Sequence, residues 1–133
     1  MYKRQVLRLI PDHAKAHYSL GIVLEDKGDL EGAERSYRAA LQLIPDHVSA
    51  HYNLGGVLQD KGDLEGAERS YRAVVRLNPD AADAHYNLGG VLAKKGDLEG
   101  AVRSYLAALR LNPDHADAHY NLGLVLKKKR DET

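Results

Sequence analysis

One eight-residue string recurs along this chain at a fixed interval, and the recurrence constrains the fold more than any other feature. It reads DAHYNLGG at 83–90 and returns with small changes at 15–22, 49–56 and 117–124, so each copy lies 34 residues from the next. Prolines keep the same interval, at positions 11, 45, 79 and 113. A fixed period of this length indicates a solenoid, in which each unit buries its apolar face only against its neighbours.

The period divides the chain into three full units with a partial unit at each end. The full units are residues 14–47, 48–81 and 82–115, within a single domain over 1–133. Residues 1–13 match only the end of the second helix of a unit, and residues 116–133 match only a first helix. This phase is typical of a segment of a longer array, or of an array designed in this register.

Each unit is predicted to form two helices separated by a glycine. The first helix should begin near an aspartate that follows the proline and is a candidate cap for free amides of the first turn: Asp12, Asp46, Asp80 or Asp114. It should end at Gly28, Gly62 or Gly96, because glycine tolerates the left-handed conformation of helix ends. The second helix should be capped by Asp29, Asp63 or Asp97 and should stop near the next proline.

Helical periodicity assigns a packing face to each helix, here taken from the second full unit. On the first helix this face comprises His51, Leu54, Gly55 and Leu58. On the second helix it comprises Leu64, Ala67, Tyr71, Val74 and Val75. The small residues Gly55 and Ala67 are expected to let the two backbones approach closely, with Tyr71 filling the space beside them.

These positions resemble the tetratricopeptide repeat, a 34-residue helix–turn–helix pattern with Leu-Gly on its first helix and alanine and an aromatic residue on its second. In the second unit the matches are Leu54-Gly55, Ala67 and Tyr71, and the other units repeat them. The resemblance implies an all-α, right-handed superhelical solenoid of antiparallel helix pairs. It also implies that the first helices line a concave face. The chain departs from the pattern at His51, where the family usually has an aromatic residue.

The residues that point away from the packing face are candidates for a peptide-binding groove. They form a row of tyrosines beside a row of amides: Tyr18, Ser19, Tyr52, Asn53, Tyr86, Asn87, Tyr120 and Asn121. A carboxamide can pair with both the N–H and the C=O of a peptide. The row resembles the asparagine ladder in the repeat arm of O-linked N-acetylglucosamine transferases. We therefore expect a non-catalytic protein-interaction scaffold that binds an extended peptide or partner segment of unknown identity.

An alternative is a structural or designed module with no dedicated ligand, in which tyrosine and asparagine only help adjacent helices to pack. The full units are nearly identical, sharing 24 and 25 of 34 residues between neighbours, which favours this alternative. Such a module would self-associate head-to-tail, because apolar ends of a solenoid are a liability unless covered. The predicted contact residues are Val6, Leu7 and Ile10 at one end and Leu122 and Leu126 at the other.

A second binding mode of the family is the carboxylate clamp, which holds acidic C-terminal tails through basic side chains. The residues at the clamp positions of this chain are Tyr18, Asn53, Asp83 and Asn87. Only Asn53 fits, so we predict that this chain has no such clamp.

Charge and composition exclude several other classes of partner. Lys plus Arg and Asp plus Glu each number 19, so nucleic acid and an anionic membrane are not expected as partners. The chain has no cysteine, which excludes disulfides and thiolate chemistry. No apolar run approaches the roughly 20 residues of a membrane span, and no signal peptide is visible, so we expect a cytoplasmic chain.

Catalysis is not expected, because every candidate acid, base or nucleophile recurs with the period of the repeat, as scaffold residues do. We expect no cofactor.

Three histidine pairs spaced i, i+4 raise the question of a metal site: His13/His17, His47/His51 and His115/His119. Further ligands are missing from the pattern, so a packing role is favoured over metal binding.

Overall fold

The computed structural model describes the backbone of residues 2–133 and the side chains from residue 9 onward. Within this range it contains seven helices and no strand: α1 (Tyr2–Asp26), α2 (Leu30–Leu43), α3 (Val48–Asp60), α4 (Leu64–Leu77), α5 (Ala82–Lys95), α6 (Leu98–Leu111) and α7 (Ala116–Glu132). Each helix packs mainly on the helices before and after it in sequence. The predicted all-α solenoid is confirmed, while the division into units at 14–47, 48–81 and 82–115 stays a prediction. The odd-numbered helices are called A helices below, and the even-numbered ones B helices.

The starts of the B helices agree with the sequence. The carboxylates of Asp29, Asp63 and Asp97 each accept a hydrogen bond, at 2.9 Å, from the backbone N–H three residues later. The glycine before each of these aspartates has the expected positive φ, with 81° at Gly28 and 84° at Gly62. The turn between the two helices of a unit is therefore encoded locally by a Gly-Asp pair.

The predicted caps of the A helices are wrong. Helices α3 and α7 begin after His47 and His115, whose Nδ1 atoms accept hydrogen bonds from the backbone N–H of Ala50 and Ala118 at 3.1 and 3.2 Å. Helix α5 begins after Ala81 and has no side-chain cap. The aspartates at 46, 80 and 114 lie inside the turn that follows each proline, so they come one residue too early to cap, and Asp12 lies within α1.

This difference predicts opposite outcomes for two aspartate variants. Asp63→Ala should lower the free energy of unfolding by about 1 kcal/mol, because the N–H of Gly66 loses its partner. Asp46→Ala should leave that free energy nearly unchanged, because Asp46 is exposed and caps no helix. Urea unfolding followed by circular dichroism measures both. A loss for Asp46→Ala as large as for Asp63→Ala would contradict the capping scheme.

The sequence predicts a partial helix over residues 1–13, and the structure shows that α1 continues without a break through Pro11. A proline inside a helix normally destabilises it by about 3 kcal/mol, which is why the sequence predicts a break near Pro11. At the later prolines the chain turns because a B helix must be followed by an A helix that packs back on it.

The core combines the predicted packing faces with a layer that periodicity did not assign. Leu54, Leu58 and Tyr71 are buried as predicted, and Ala67 has no exposed surface. Ala50 and Val57, on a different side of α3, are also fully buried. They are buried because an A helix contacts the B helix of the preceding unit as well as its own. His51, Leu64 and Val75 are only partly buried.

Each buried tyrosine of a B helix lies directly over a glycine of its own A helix. A Cβ atom placed on Gly55 would lie 2.8 Å from a ring carbon of Tyr71, and one on Gly89 would lie 2.8 Å from a ring carbon of Tyr105. Gly21 and Tyr37 repeat the arrangement. The Leu-Gly string therefore leaves room for an aromatic ring, which is how the two helices of a unit come into close contact.

Ion pairs join neighbouring units along one flank of the solenoid. Lys61 at the end of α3 pairs with Glu31 and Glu34 of α2, at 2.7 and 2.6 Å. Hydrogen bonds from Lys61 and Arg38 hold the pKa of Glu34 below its usual value. Lys95 makes the equivalent pairs with Glu65 and Glu68.

The third unit has Val102 at the position equivalent to Glu34 and Glu68. It has Leu106 where the other two units have Arg38 and Arg72. The sequence leaves open whether both side chains pack or form an apolar patch. Val102 packs against the core, whereas Leu106 is 51% exposed. The two positions therefore differ, because only Val102 lies on the side of α6 that touches other helices.

Candidate functional site

Six of the eight predicted groove residues form three hydrogen-bonded pairs, each of which joins two successive A helices. The side-chain nitrogen of Asn53 donates a hydrogen bond to the hydroxyl of Tyr18 on the preceding A helix, at 3.2 Å. Asn87 bonds to Tyr52 in the same way, and Asn121 to Tyr86, both at 3.0 Å. The whole row, called the tyrosine face below, consists of Tyr18, Ser19, Tyr52, Asn53, Tyr86, Asn87, Tyr120 and Asn121. Ser19 and Tyr120, at its two ends, take no part in these bonds, and Tyr120 is 68% exposed.

These hydrogen bonds give the amides a packing role and leave part of each amide free. A carboxamide has one acceptor oxygen and a nitrogen with two donor hydrogens. Each asparagine commits its nitrogen to a tyrosine, and its oxygen has no protein partner within the described residues. Asn53, Asn87 and Asn121 are all partly exposed. Each amide nitrogen is thus held by a tyrosine hydroxyl, and each amide oxygen is left without a partner among the described residues.

A second layer of tyrosines supports the first. The ring centres of Tyr52 and Tyr71 lie 5.9 Å apart, edge to face, and those of Tyr86 and Tyr105 lie 5.8 Å apart. These separations fall in the favourable range for aromatic pairs. Burial raises the pKa of Tyr71 and of Tyr105, so both supporting rings stay neutral. The rings of Tyr52 and Tyr86 on the tyrosine face therefore pack on buried aromatic rings.

Two of the face tyrosines are also covered by histidine rings, a feature that sequence reasoning missed. The imidazole of His47 lies over Tyr18 with ring centres 4.9 Å apart, and that of His115 stacks on Tyr86 at 4.6 Å. These are the same two histidines that cap α3 and α7. Ala81 occupies the equivalent position before α5, and no imidazole covers Tyr52 within the described residues. In the sequence, the change from histidine to alanine at position 81 is what distinguishes this unit from its neighbours.

A cavity of about 490 Å³ opens beside the uncovered Tyr52. Its walls come from α1, α3, the end of α4 and the start of α5, and they include Tyr18, Val48, Ser49, Tyr52, Asn53, Val74, Asn78, Ala81, Ala82, Asp83 and Ala84. Three of these residues belong to the tyrosine face. Asp83 is the only charged residue among them. The predicted groove thus contains a partly apolar recess with a single negative charge at its wall.

The other histidines have a structural contact that bears on the metal question. The Nε2 atoms of His51, His85 and His119 lie 2.8, 3.0 and 2.7 Å from the carbonyl oxygens of Pro45, Pro79 and Pro113. In the pair His47/His51, one nitrogen of each ring is therefore already engaged. No three metal-binding side chains converge anywhere in the described part of the chain. The contacts support the packing role.

The same described residues contain no helix that is both long and apolar enough to cross a lipid bilayer.

Two families of known proteins match this chain. The family described as TPR repeat matches residues 24–62 and 90–129, and the family described as Tetratricopeptide repeat matches residues 52–106. The chain belongs to the tetratricopeptide-repeat family. A comparison with curated protein sequences finds no significant match.

Solved structures agree with the assignment to the TPR family. MamA superposes with a TM-score of 0.81 at 33% identity, over 83% of this chain and 64% of MamA. The O-GlcNAc transferase of Thermobaculum terrenum, as a K341M mutant, has a TM-score of 0.76 at 34% identity, over 88% of this chain and 22% of the transferase. YrrB, described as a TPR protein with an unusual peptide-binding site, has a TM-score of 0.82 at 30% identity, over 88% of this chain and 60% of YrrB.

These comparisons confirm the resemblance to the transferase arm at the level of the repeat. This TPR chain spans less than two thirds of MamA and of YrrB, and about a fifth of the transferase.

Proposed function

We propose that this TPR array is a non-catalytic scaffold that binds an extended peptide segment along the tyrosine face. The observation that carries the proposal is the continuity of that face. Bonded Tyr–Asn pairs link successive A helices, and a cavity of about 490 Å³ lies among them. A continuous row of fixed polar groups beside half-buried aromatic rings suits a ligand that is itself linear.

The spacing of the row suits a peptide backbone. Helices in contact lie about 8–10 Å apart, and an extended chain advances about 3.3 Å per residue. Successive asparagine oxygens can then accept a hydrogen bond from about every third peptide N–H. The tyrosines add apolar contact area at low entropic cost, since their rings are already held by Tyr37, Tyr71 and Tyr105.

The comparisons support this proposal. YrrB, which is 30% identical over most of this chain, is described as having a peptide-binding site. The two matching families are both repeat families, and neither is a family of enzymes by its description. Transfer of peptide binding from YrrB to this chain is part of the proposal.

A random-peptide phage library panned on the full chain tests the proposal. Peptides that are enriched would be synthesised and their dissociation constants measured by fluorescence anisotropy. The triple variant Asn53→Ala, Asn87→Ala, Asn121→Ala should bind at least about tenfold more weakly, a loss of about 1.4 kcal/mol. The matched control is Arg35→Ala, Arg69→Ala, Arg103→Ala, which removes three exposed side chains from the B helices and should leave binding unchanged.

Circular dichroism of both triple variants separates a binding defect from unfolding. Failure to enrich any peptide, or equal affinity of the wild type and the folded asparagine variant, would refute the proposal.

Head-to-tail self-association is a second candidate, favoured by apolar side chains left uncovered on the first and last helices. Leu20 and Val23 of α1 are 49% and 47% exposed, whereas the equivalent Leu54 and Val57 are buried. On α7, Leu126 is 48% exposed, and no atom lies within 4 Å of a Cβ placed on Gly123.

The residues predicted for this contact divide into three groups. Leu126 is exposed, Ile10 and Leu122 are partly buried, and Val6 and Leu7 lie outside the residues whose side chains are described. Light scattering across a wide range of protein concentration tests the candidate. A mass that rises with concentration, and that becomes constant in Leu126→Glu, would support it. A constant mass in the wild type would refute it.

A further inference from the structure

The cavity beside Tyr52 lies where one histidine of a repeating set is replaced by alanine. Residues 47, 81 and 115 are equivalent positions of successive units. At two of them an imidazole caps the following helix and covers a tyrosine ring, His47 over Tyr18 and His115 over Tyr86. At the third, Ala81 provides neither contact, and the space beside Tyr52 is open. The recess therefore lies where the neighbouring units have an imidazole, a flat ring that carries nitrogen atoms.

The walls of the recess define the chemistry of a group that would fit it. Tyr18 and Tyr52 contribute aromatic rings, and Ser49, Asn53 and Asn78 contribute polar atoms. The face of an aromatic ring carries partial negative charge and attracts cations. Asp83 adds a full negative charge and forms no ion pair with any residue that the structure describes. Both features favour a flat cation.

The start of α5 also borders the recess and carries charge of the opposite sign. A helix N-terminus is equivalent to about half a positive charge. Asp83 lies in the first turn of that helix and carries a full negative charge, so it outweighs the helix end. An anionic ligand group would meet Asp83 directly. The net electrostatic preference of the recess is therefore for a cation.

We propose that this recess is the receptor for an arginine side chain of the bound peptide. A guanidinium group is planar, stacks on aromatic faces and pairs with carboxylates through two parallel hydrogen bonds. It can stack on Tyr52 as His115 stacks on Tyr86, and it can pair with Asp83. Lysine has the same charge but lacks a planar group with two parallel donors, so a lysine side chain should bind less well. This inference rests on the proposed peptide-binding function and names the residue that the central unit selects.

The test uses peptides enriched by panning on the full chain, in which arginine should be over-represented at one position. Replacing that arginine with citrulline keeps the shape and removes the charge. This change should weaken binding about tenfold, with lysine intermediate, since a charge-assisted pair and a cation–π contact are both lost. Enriched peptides that carry an acidic or a neutral aromatic residue at this position, or equal affinity of the citrulline peptide, would overturn the inference.

Two protein variants probe the recess directly. Ala81→His should cover Tyr52 with the ring that the neighbouring units have, and should weaken binding of the arginine peptide about tenfold or more without lowering the melting temperature. Asp83→Asn should weaken the same peptide and reduce the dependence of its affinity on salt. The matched control is Asp117→Asn, at the equivalent position of the next unit, where His115 covers the tyrosine. Asp117→Asn should leave affinity unchanged.

The outcomes separate this inference from the proposed function. Peptides that need the asparagine row but bind Ala81→His and Asp83→Asn as tightly as the wild type would leave the proposed function standing and refute the arginine receptor. The absence of any enriched peptide would refute both. Because Asp83 is exposed, Asp83→Asn should remain folded even if Ala81→His does not, so the inference stays testable.

Discussion

Replacing Tyr71 with alanine should lower the free energy of unfolding by about 3–5 kcal/mol, one of the largest losses expected of a single change in this chain. Tyr71 is 2% exposed and its ring lies over Gly55, so the substitution opens a cavity at the centre of the second unit. The neighbouring backbones cannot close it without disturbing the contact between α3 and α4. Since small domains are stable by only about 5–15 kcal/mol, the loss is a large fraction of the total.

The control is Tyr120→Ala, which removes the same side chain from a position that is 68% exposed. Its effect should lie within about 0.5 kcal/mol of zero, as for surface positions in general. Urea unfolding of the two variants, with midpoints and slopes compared to the wild type, measures the difference. A loss below 1 kcal/mol for Tyr71→Ala would mean that the tyrosine–glycine contact does not hold the unit together.

The second large effect is expected at the glycine partner of this contact. In a helix, alanine is normally preferred over glycine by about 1 kcal/mol. At Gly55 that preference should be reversed, because the new methyl group would lie 2.8 Å from a ring carbon of Tyr71. Overpacking of a buried ring costs about 1–3 kcal/mol. We therefore expect Gly55→Ala to lower the free energy of unfolding by up to about 2 kcal/mol once the helix preference is subtracted.

Two other glycines provide controls of the opposite sign. A Cβ on Gly56, the next residue of the same helix, would touch only the hydroxyl of Tyr71 at 3.7 Å, an ordinary contact. A Cβ on Gly123 would have no neighbour within 4 Å. Gly56→Ala and Gly123→Ala should each raise the free energy of unfolding by about 0.5–1 kcal/mol. If Gly55→Ala stabilised the chain as the other two should, the close contact between ring and backbone would be disproved.

Several features could be read directly from the residues because they depend on contacts within one unit. The Gly-Asp turns are local, since the aspartate caps a helix that begins at the next residue. The pairing of Gly55 with Tyr71 also lies within one helix pair. The tyrosine face followed from periodicity, because residues that do not face the core must face another way. Repetition then extended each local result along the chain.

Other features were decided by contacts between units, which no single unit encodes. Ala50 and Val57 are buried by the B helix of the preceding unit, so the faces of an isolated helix pair do not show them. The bonds from Asn53 to Tyr18 and from Asn87 to Tyr52 likewise cross from one unit to the next. Their residue types were predicted, but their mutual bonding depends on how closely the units stack.

The 34-residue period by itself therefore determined the family, the helix pairs and the row of polar and aromatic residues, because each depends on spacing along the chain. Tertiary structure alone decided that α1 passes through Pro11, that histidine caps α3 and α7, and that a recess opens beside Tyr52. These outcomes depend on whether a neighbouring helix or ring is present at a given place in space. A single alanine at position 81 changes little in the sequence pattern, yet it removes both a cap and a covering ring.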